Sequence, residues 1–425
     1  MPPDAPAPAP PGAPTPARPA RPSDAGYFLT LDGWRAVAIG LVVADHVCKG
    51  LIRDMDLNRA VARLALGAHG VNLFFAISGF LITARLLQER EATGGVSLGA
   101  FYVRRAWRIL PPAFAFLAVV GCLGLAGALP VAGWDWLAAL GFWRNYAEPV
   151  LNDTGYYTAH FWSLAVEEHF YLLWPGALVA LLLAAARRRR DDDVAYGAGG
   201  GAGPVAGVTL VAAMALLGAL LVAAWRPVVL GQQIAAVGHP TWHYFVRTDT
   251  RLDALLWGAA LAAAARTGWG ARVAALVARP AVRLAVVAAV GMIWTVYRQR
   301  PTIWESAFLA LLVGGSVFAA GARPDGRPGR FDLLGRALET GPARWLGRRS
   351  YGVYLWQQLF LPSFDTPLLA AGVGLPGVLQ RWPWNGVALL AVAAASYRWV
   401  ERPCIARGAA LGRRIAAARR HIARI

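Results

Sequence analysis

Charge is scarce in this sequence. Asp, Glu, Lys and Arg make up 16% of the 425 residues, against about a quarter in soluble domains. That deficit excludes an ordinary globular protein, and a hydrophobic share of 57% with mean hydropathy +0.44 points to a membrane protein instead. Cysteine is also nearly absent. Cys48, Cys122 and Cys404 lie far apart beside apolar segments, which excludes a disulfide framework or a cysteine metal site and reads as small buried hydrophobes. The N-terminus lacks the apolar core of a signal peptide. Residues 1–26 are a Pro/Ala-rich tract expected to form a disordered cytoplasmic tail. No internal repeat is visible, and no nucleic-acid motif accompanies the net charge of +18, which argues against a nucleic-acid partner.

Long apolar runs are what the chain has in quantity: Val71–Leu87, Ala113–Leu129, Trp162–Ala186, Val205–Trp225 and Ser306–Ala320. At about 20 apolar residues per crossing, an all-α integral membrane protein with about ten transmembrane helices is predicted. The crossings fall near 34–51, 70–88, 110–130, 161–185, 205–225, 250–266, 282–299, 303–321, 350–370 and 384–401. Arginine clusters at 85–108, 187–190, 266–283, 323–349 and 407–424 then share one side with the N-terminus, while the opposite loops are lightly charged. The positive-inside rule makes that side cytoplasmic, so both termini are inside. The Trp-rich stretch near 134–146 is too short to cross and reads as an interfacial or re-entrant helix. A transmembrane domain over 27–403 therefore contains a cytoplasmic linker at 187–204, and a basic cytoplasmic tail follows at 404–425.

Ionisable groups inside an apolar span are costly and usually face a protein interior or a wet cavity. The first span has two, Arg35 and His46, eleven positions apart. At about 100° per residue that spacing returns His46 to within roughly 20° of the Arg35 face, about 16 Å further along the axis. A histidine titrates near working pH and can act as a general base on a hydroxyl, or simply hydrogen-bond a neighbouring helix. Asp45 adjoins it but points about 100° away.

A second cluster is HFWSLAVEEHFYLLWP (160–175), where His160, Ser163, Glu167, Phe170 and Tyr171 share a helical face. Glu167 is placed at a depth similar to His46, so that a histidine, a carboxylate and a serine converge if the two faces meet. Glu168 and His169 read as facing the interface, and Ser163 as a packing residue or a hydroxyl. In FYVRRAWRILPP (101–112), Arg104, Arg105 and Arg108 form a basic patch suited to lipid headgroups or to a phosphate-bearing ligand. In RTDTRLDALLWGAALA (247–262), Arg251 and Asp253, with Arg247 one turn before, either form internal ion pairs or face substrate. GVNLFFAISGFLIT, in the second span, supplies close helix packing at Gly79 and polar options at Asn72 and Ser78.

These blocks, with SYGVYLWQQ (350–358) and SYRWVERP (396–403), occur in an order that resembles the membrane acyltransferase-3 family, the O-acyltransferases of surface polysaccharides and some macrolides. LDGWRAVAIGLVVADH resembles its leading arginine–histidine motif, and WSLAVEEHFY its serine–glutamate pattern. The resemblance covers about residues 27–403 and implies ten spans, no bound cofactor or metal, and cytoplasmic acyl-CoA as donor. It implies that Arg35 and His46 are the catalytic pair, with Glu167 a further catalytic residue. It also implies that Arg104, Arg105 and Arg108 lie on the CoA side. His160, Trp162, Ser163, Tyr171, Arg251 and Asp253 are then substrate-side candidates. The expected activity is O-acyl transfer, O-acetyl transfer first, to a hydroxyl of a cell-envelope glycan, a lipid-linked sugar or a glycosylated metabolite. Two positions depart from the family pattern: Asn72 stands where aspartate is common, and Gln357 where histidine is. An amide hydrogen-bonds but is no base at neutral pH. Many members carry a fused extracytoplasmic domain, whereas this chain reads as a stand-alone module. The rival reading is a transporter or flippase of a lipid-linked saccharide, a class that commonly shows inverted repeats.

Overall fold

Backbone in hydrocarbon must satisfy its hydrogen bonds within its own segment, so long apolar runs become helices. The computed structural model describes residues 29–51, 64–147, 155–196, 204–239, 242–297, 303–321, 329, 332–361 and 374–422, and all regular structure among them is helical. In chain order the first helices are α1 (Leu29–Leu51), α2 (Leu66–Thr93), α3 (Leu98–Leu125), α4 (Gly133–Leu140), α5 (Tyr156–Ala159), α6 (Phe161–Tyr196), α7 (Pro204–Val237) and α8 (Trp242–Val246). They are followed by α9 (Thr248–Ala264), α10 (Gly268–Val277), α11 (Pro280–Tyr297), α12 (Ile303–Gly321), α13 (Leu333–Leu338), α14 (Gly341–Phe360), α15 (Gly374–Leu379) and α16 (Trp384–Ser396). A π-helical turn, Tyr397–Glu401, joins α16 to α17 (Arg402–Ile422).

Each of the ten predicted crossings overlaps a helix; the parts at 298–299 and 362–370 lie outside the described residues. Five stretches are long and apolar enough to cross a membrane: Leu66–Thr93, Leu98–Leu125, Tyr156–Asp191, Val205–Val237 and Trp304–Gly321. The pair Gly268–Val277 and Pro280–Val296, bent by 79°, makes a sixth if it is one span. The other four, α1, α9, α14 and α16, are shorter or more charged; α1 alone holds Asp32, Arg35, Asp45 and Lys49. The centre of the bundle is α9, which packs against α2, α7 and α12. Its contact with α2 is backbone on backbone: a Cβ at Gly79 would lie 1.8 Å from the Leu255 carbonyl oxygen. The close packing expected at Gly79 is present.

Several segments differ from expectation. The short helix is α4, ending at Leu140, and residues 141–147 form turns. Eight residues span about 12 Å, too little to cross. It is held by a buried ion pair, Arg144–Asp135 at 3.1 Å. Burial pulls the Arg144 guanidinium below its ordinary pKa, and the Asp135 charge draws it back up. The 187–204 linker is in large part helix. α6 runs on to Tyr196, where arginines are followed by aspartates at the i, i+4 spacing that supports a helix, and α7 begins at Pro204. The basic tail is also a helix. α17 lies along the start of α3, where Gly408 faces Trp107 and Arg419 donates to the Val96 carbonyl. None of the three cysteines is in the core: Cys48 and Cys404 are half-buried and Cys122 is exposed on α3. A helix face turned to lipid takes small apolar residues as readily as a core does. The N-terminal tract lies outside the described residues.

Candidate active site

The near end of the bundle, where α1 begins, is pinned by two glycines. A Cβ at Gly33 would sit 2.2 Å from the Leu338 carbonyl oxygen, and one at Gly347 would sit 1.7 Å from that of Asp32. This fixes the first turns of α1 against α13 and α14. Arg35 follows within one turn, its Nη1 3.4 Å from the buried Asp32 carboxylate.

Arg35 faces an open cavity shared with Arg105 and Arg108 of α3, Ser78 of α2, and Ser163, Glu167 and Tyr171 of α6. Ser78 donates to Glu167 at 2.9 Å. The Arg105 guanidinium lies 3.7 Å from Glu167 and 3.4 Å from Glu168, with its carbon 3.5 Å from the centre of the Tyr171 ring. Arg35 is also close enough for its charge to act on Glu167. Arg108 is exposed and lines the same space. Arg104 does not: it pairs with Glu89 at 3.3 Å beneath α17.

From this cavity a polar thread leads toward the far end. Ser163 Oγ lies 2.5 Å from the Tyr354 hydroxyl, and both line the cavity. Tyr354 donates to the His160 carbonyl at 3.2 Å. The His160 ring packs against Phe116, Phe161 and Tyr354, and among the described residues neither of its nitrogens meets a hydrogen-bond partner of ordinary geometry. His46 lies near enough for its charge to act on His160. Its Nδ1 is 2.9 Å from the Val42 carbonyl. A carbonyl only accepts, so in the neutral ring Nδ1 carries the proton and Nε2 holds the basic lone pair. Asp45 is engaged by Lys49 at 2.6 Å and does not orient the ring.

One expectation is corrected here. Glu167 does not sit beside His46; it belongs with the arginines, and His46 is not among the residues lining that cavity. Depth counted from the first apolar residue places a helix start at the membrane surface. The start of α6, however, is buried, with Phe161, Ala165 and Val166 fully enclosed. Glu168 and His169 do not face the interface either. Glu168 meets Arg105, and His169 Nδ1 lies 2.7 Å from Thr248 Oγ1.

A second buried cluster occupies the far end. Arg251 and Asp253 do not pair with each other. Arg251 donates to Asn72 at 2.6 Å, and Asn72 donates to Glu305 at 3.0 Å. Glu305 also meets His69 at 2.7 Å, and the His69 ring stacks on Trp294 at 4.4 Å. Asp253 pairs with Arg226 and accepts from Ser306 at 2.6 Å. Gln357 is fully buried, with neither amide atom hydrogen-bonded among the described residues. Trp162 stands between the two regions, its ring 5.5 Å from the Arg251 guanidinium. Sequence reasoning missed His69, Arg226 and Glu305, although a lone carboxylate opening an apolar run, as in Trp304-Glu305-Ser306, is itself a signal. It also gave no role to Tyr351 and Tyr354.

The sequence profile of an acyltransferase domain, acyltransferase 3, matches residues 28–397. The chain belongs to the acyltransferase-3 family. Among relatives of this family, it is 25% identical over 400 residues to the peptidoglycan O-acetyltransferase OatA of Listeria monocytogenes, which covers 89% of this chain and 56% of the relative. It is 27% identical over 405 residues to a Bacillus subtilis protein named "Putative peptidoglycan O-acetyltransferase YrhL", covering 90% and 55%. The chain thus spans about half the length of these relatives. No solved structure matches it. As an acyltransferase-3 chain with several helices able to cross a membrane, it is a multi-pass membrane protein of a transferase family.

Proposed function

We propose that this chain is a membrane O-acyltransferase, acting as an O-acetyltransferase of cell-wall glycan with cytoplasmic acyl-CoA as donor. The observation that carries this reading is the convergence of Arg35, Arg105 and Arg108 from two helices on one cavity. Guanidinium forks suit phosphates, and a CoA thioester brings phosphates at one end and its acyl group at the other. Acyl transfer comes from the family, and the glycan acceptor from the relatives' names. Ten crossings with both termini inside put the arginine end in the cytoplasm and His46 toward the outside of the cell membrane.

In this reading His46 Nε2 takes the proton of the acceptor hydroxyl as its oxygen attacks the thioester carbonyl. The C–O bond forms and the C–S bond breaks. The departing CoA thiolate takes the proton from the imidazolium, leaving an ester and free CoA. Glu167, held by Ser78, sets Arg105 against the donor. Ser163, Tyr354 and His160 line the way between the two ends.

The test is incubation of membranes containing the protein or its His46→Ala variant with labelled acetyl-CoA, followed by isolation of the glycan. Label should enter the glycan, and the variant should lower its rate about 10²–10⁴-fold, the range for a general base. Label that stays on CoA in wild-type membranes sinks the reading.

A further inference from the structure

Arg251 is 3% exposed, and no carboxylate lies within 4 Å of its guanidinium among the described residues. Its contact is the Asn72 side-chain oxygen, 2.6 Å away. A neutral amide cannot by itself offset a buried cation. The other end of that amide donates to Glu305 Oε1 at 3.0 Å, and Glu305 is fully buried. The amide therefore lies head to tail between cation and anion, in the single orientation that satisfies both. Asp253, two residues from Arg251, is already engaged by Arg226 and Ser306. His69 Nδ1 meets the same Glu305 Oε1 at 2.7 Å. Opposite Asn72, the guanidinium carbon lies 5.9 Å from the Phe75 ring and 5.5 Å from Trp162, two rings packed edge to face at 6.2 Å. Phe75 lines the arginine cavity, and Trp162 immediately precedes Ser163, which lines it too.

We propose that Glu305 is a positioning residue of the acyltransferase site: through the Asn72 amide it balances Arg251 and fixes that guanidinium against the Phe75–Trp162 wall. The pairing stands on geometry alone, and its effect on turnover rests on the acyltransferase reading. Glu305 thereby supplies from α12 the negative charge that Asn72 lacks on α2.

The experiment is a charge relocation in the full chain, purified in detergent for melting and assayed in membranes. Glu305→Gln keeps the acceptor oxygen and removes the charge. Asn72→Asp puts a carboxylate directly on Arg251 but sets it against Glu305. Each single variant should melt lower than wild type, and the double variant should regain most of the loss. A double variant no better than the singles overturns the pairing. For turnover per folded protein, Glu305→Gln should lose on the order of 10-fold or more, as for a displaced wall residue. Its apparent KM for acetyl-CoA should not change, and the double variant should recover within a few-fold. Equal turnover in all four proteins leaves only a structural link and overturns the positioning role. If wild-type membranes transfer no label, the positioning role falls with the acyltransferase reading, while the melting cycle still decides the pairing.

Discussion

Arg105 and Arg251 are both guanidiniums held among aromatic rings in one helical bundle, yet their surroundings are built differently. At the near end, Arg105 meets two carboxylates at 3.4 and 3.7 Å, Arg35 meets one at 3.4 Å, and both face an open space with Arg108 exposed beside them. At the far end the contacts of Arg251, Asn72, Glu305, His69 and Ser306 run from 2.6 to 3.0 Å, and Arg226 answers Asp253. There the two arginines are matched by two carboxylates. A buried polar group must find its partners inside the protein, and Arg226, Arg251, Asp253 and Glu305 each have one. The near end holds its charges loosely around a void, which is the arrangement a charged ligand would complete. One cluster is closed on itself and the other lines an open cavity.

That contrast can be broken by mutation. The largest effect is expected at the far end. Asp253→Ala leaves Arg226 without its carboxylate in the bundle, and removing one partner of a buried pair costs about 3–5 kcal/mol. Denaturation in detergent should show that loss; an unchanged midpoint would mean the far-end cluster is not what holds the shape. Arg105→Ala should do the reverse. Its apparent KM for acetyl-CoA should rise about 10-fold or more, one charge-assisted bond to phosphate being worth about 1.5–3 kcal/mol. Melting should move little, and a collapse in stability with unchanged KM would place Arg105 with the structural ions. The smallest effect is expected from Ser78→Ala, which removes one hydrogen bond to Glu167 and should lower turnover about 5-fold, for roughly 1 kcal/mol. Full activity in that variant would release Glu167 from any need to be held.

Much of this architecture is legible in the sequence because apolar length alone dictates helices in lipid. α2, α3, α6, α7 and α12 follow from runs with few charges. That Arg35 and Arg105 would turn inward was legible because cations inside or beside such runs are rare. Partnership was harder to read. Asn72, Arg251 and Glu305 lie 179 and 233 positions apart along the chain, and no local spacing links α2 to α9 or α12. The depth of Glu167 was misread for a related reason: where a helix starts in the bundle depends on the segments that cover it, here residues 133–147 and 155–160, rather than on its own composition. The helical character of 404–422 escaped because a run of arginines reads as solvated until a partner helix is seen beside it.

The two glycines that lock the start of α1 also determine which side of the cavity is free to change. With Gly33 against Leu338 and Gly347 against Asp32, the segment carrying Arg35 has no room to shift or to accept a larger residue. The cavity therefore has one immovable pole, and under the proposed acyl-CoA reading adaptation to a longer or bulkier acyl group must come from the opposite walls, at Ser163, Tyr351 and Tyr354. Variants selected for a new donor should accumulate there and leave residues 32–35 and 347 untouched.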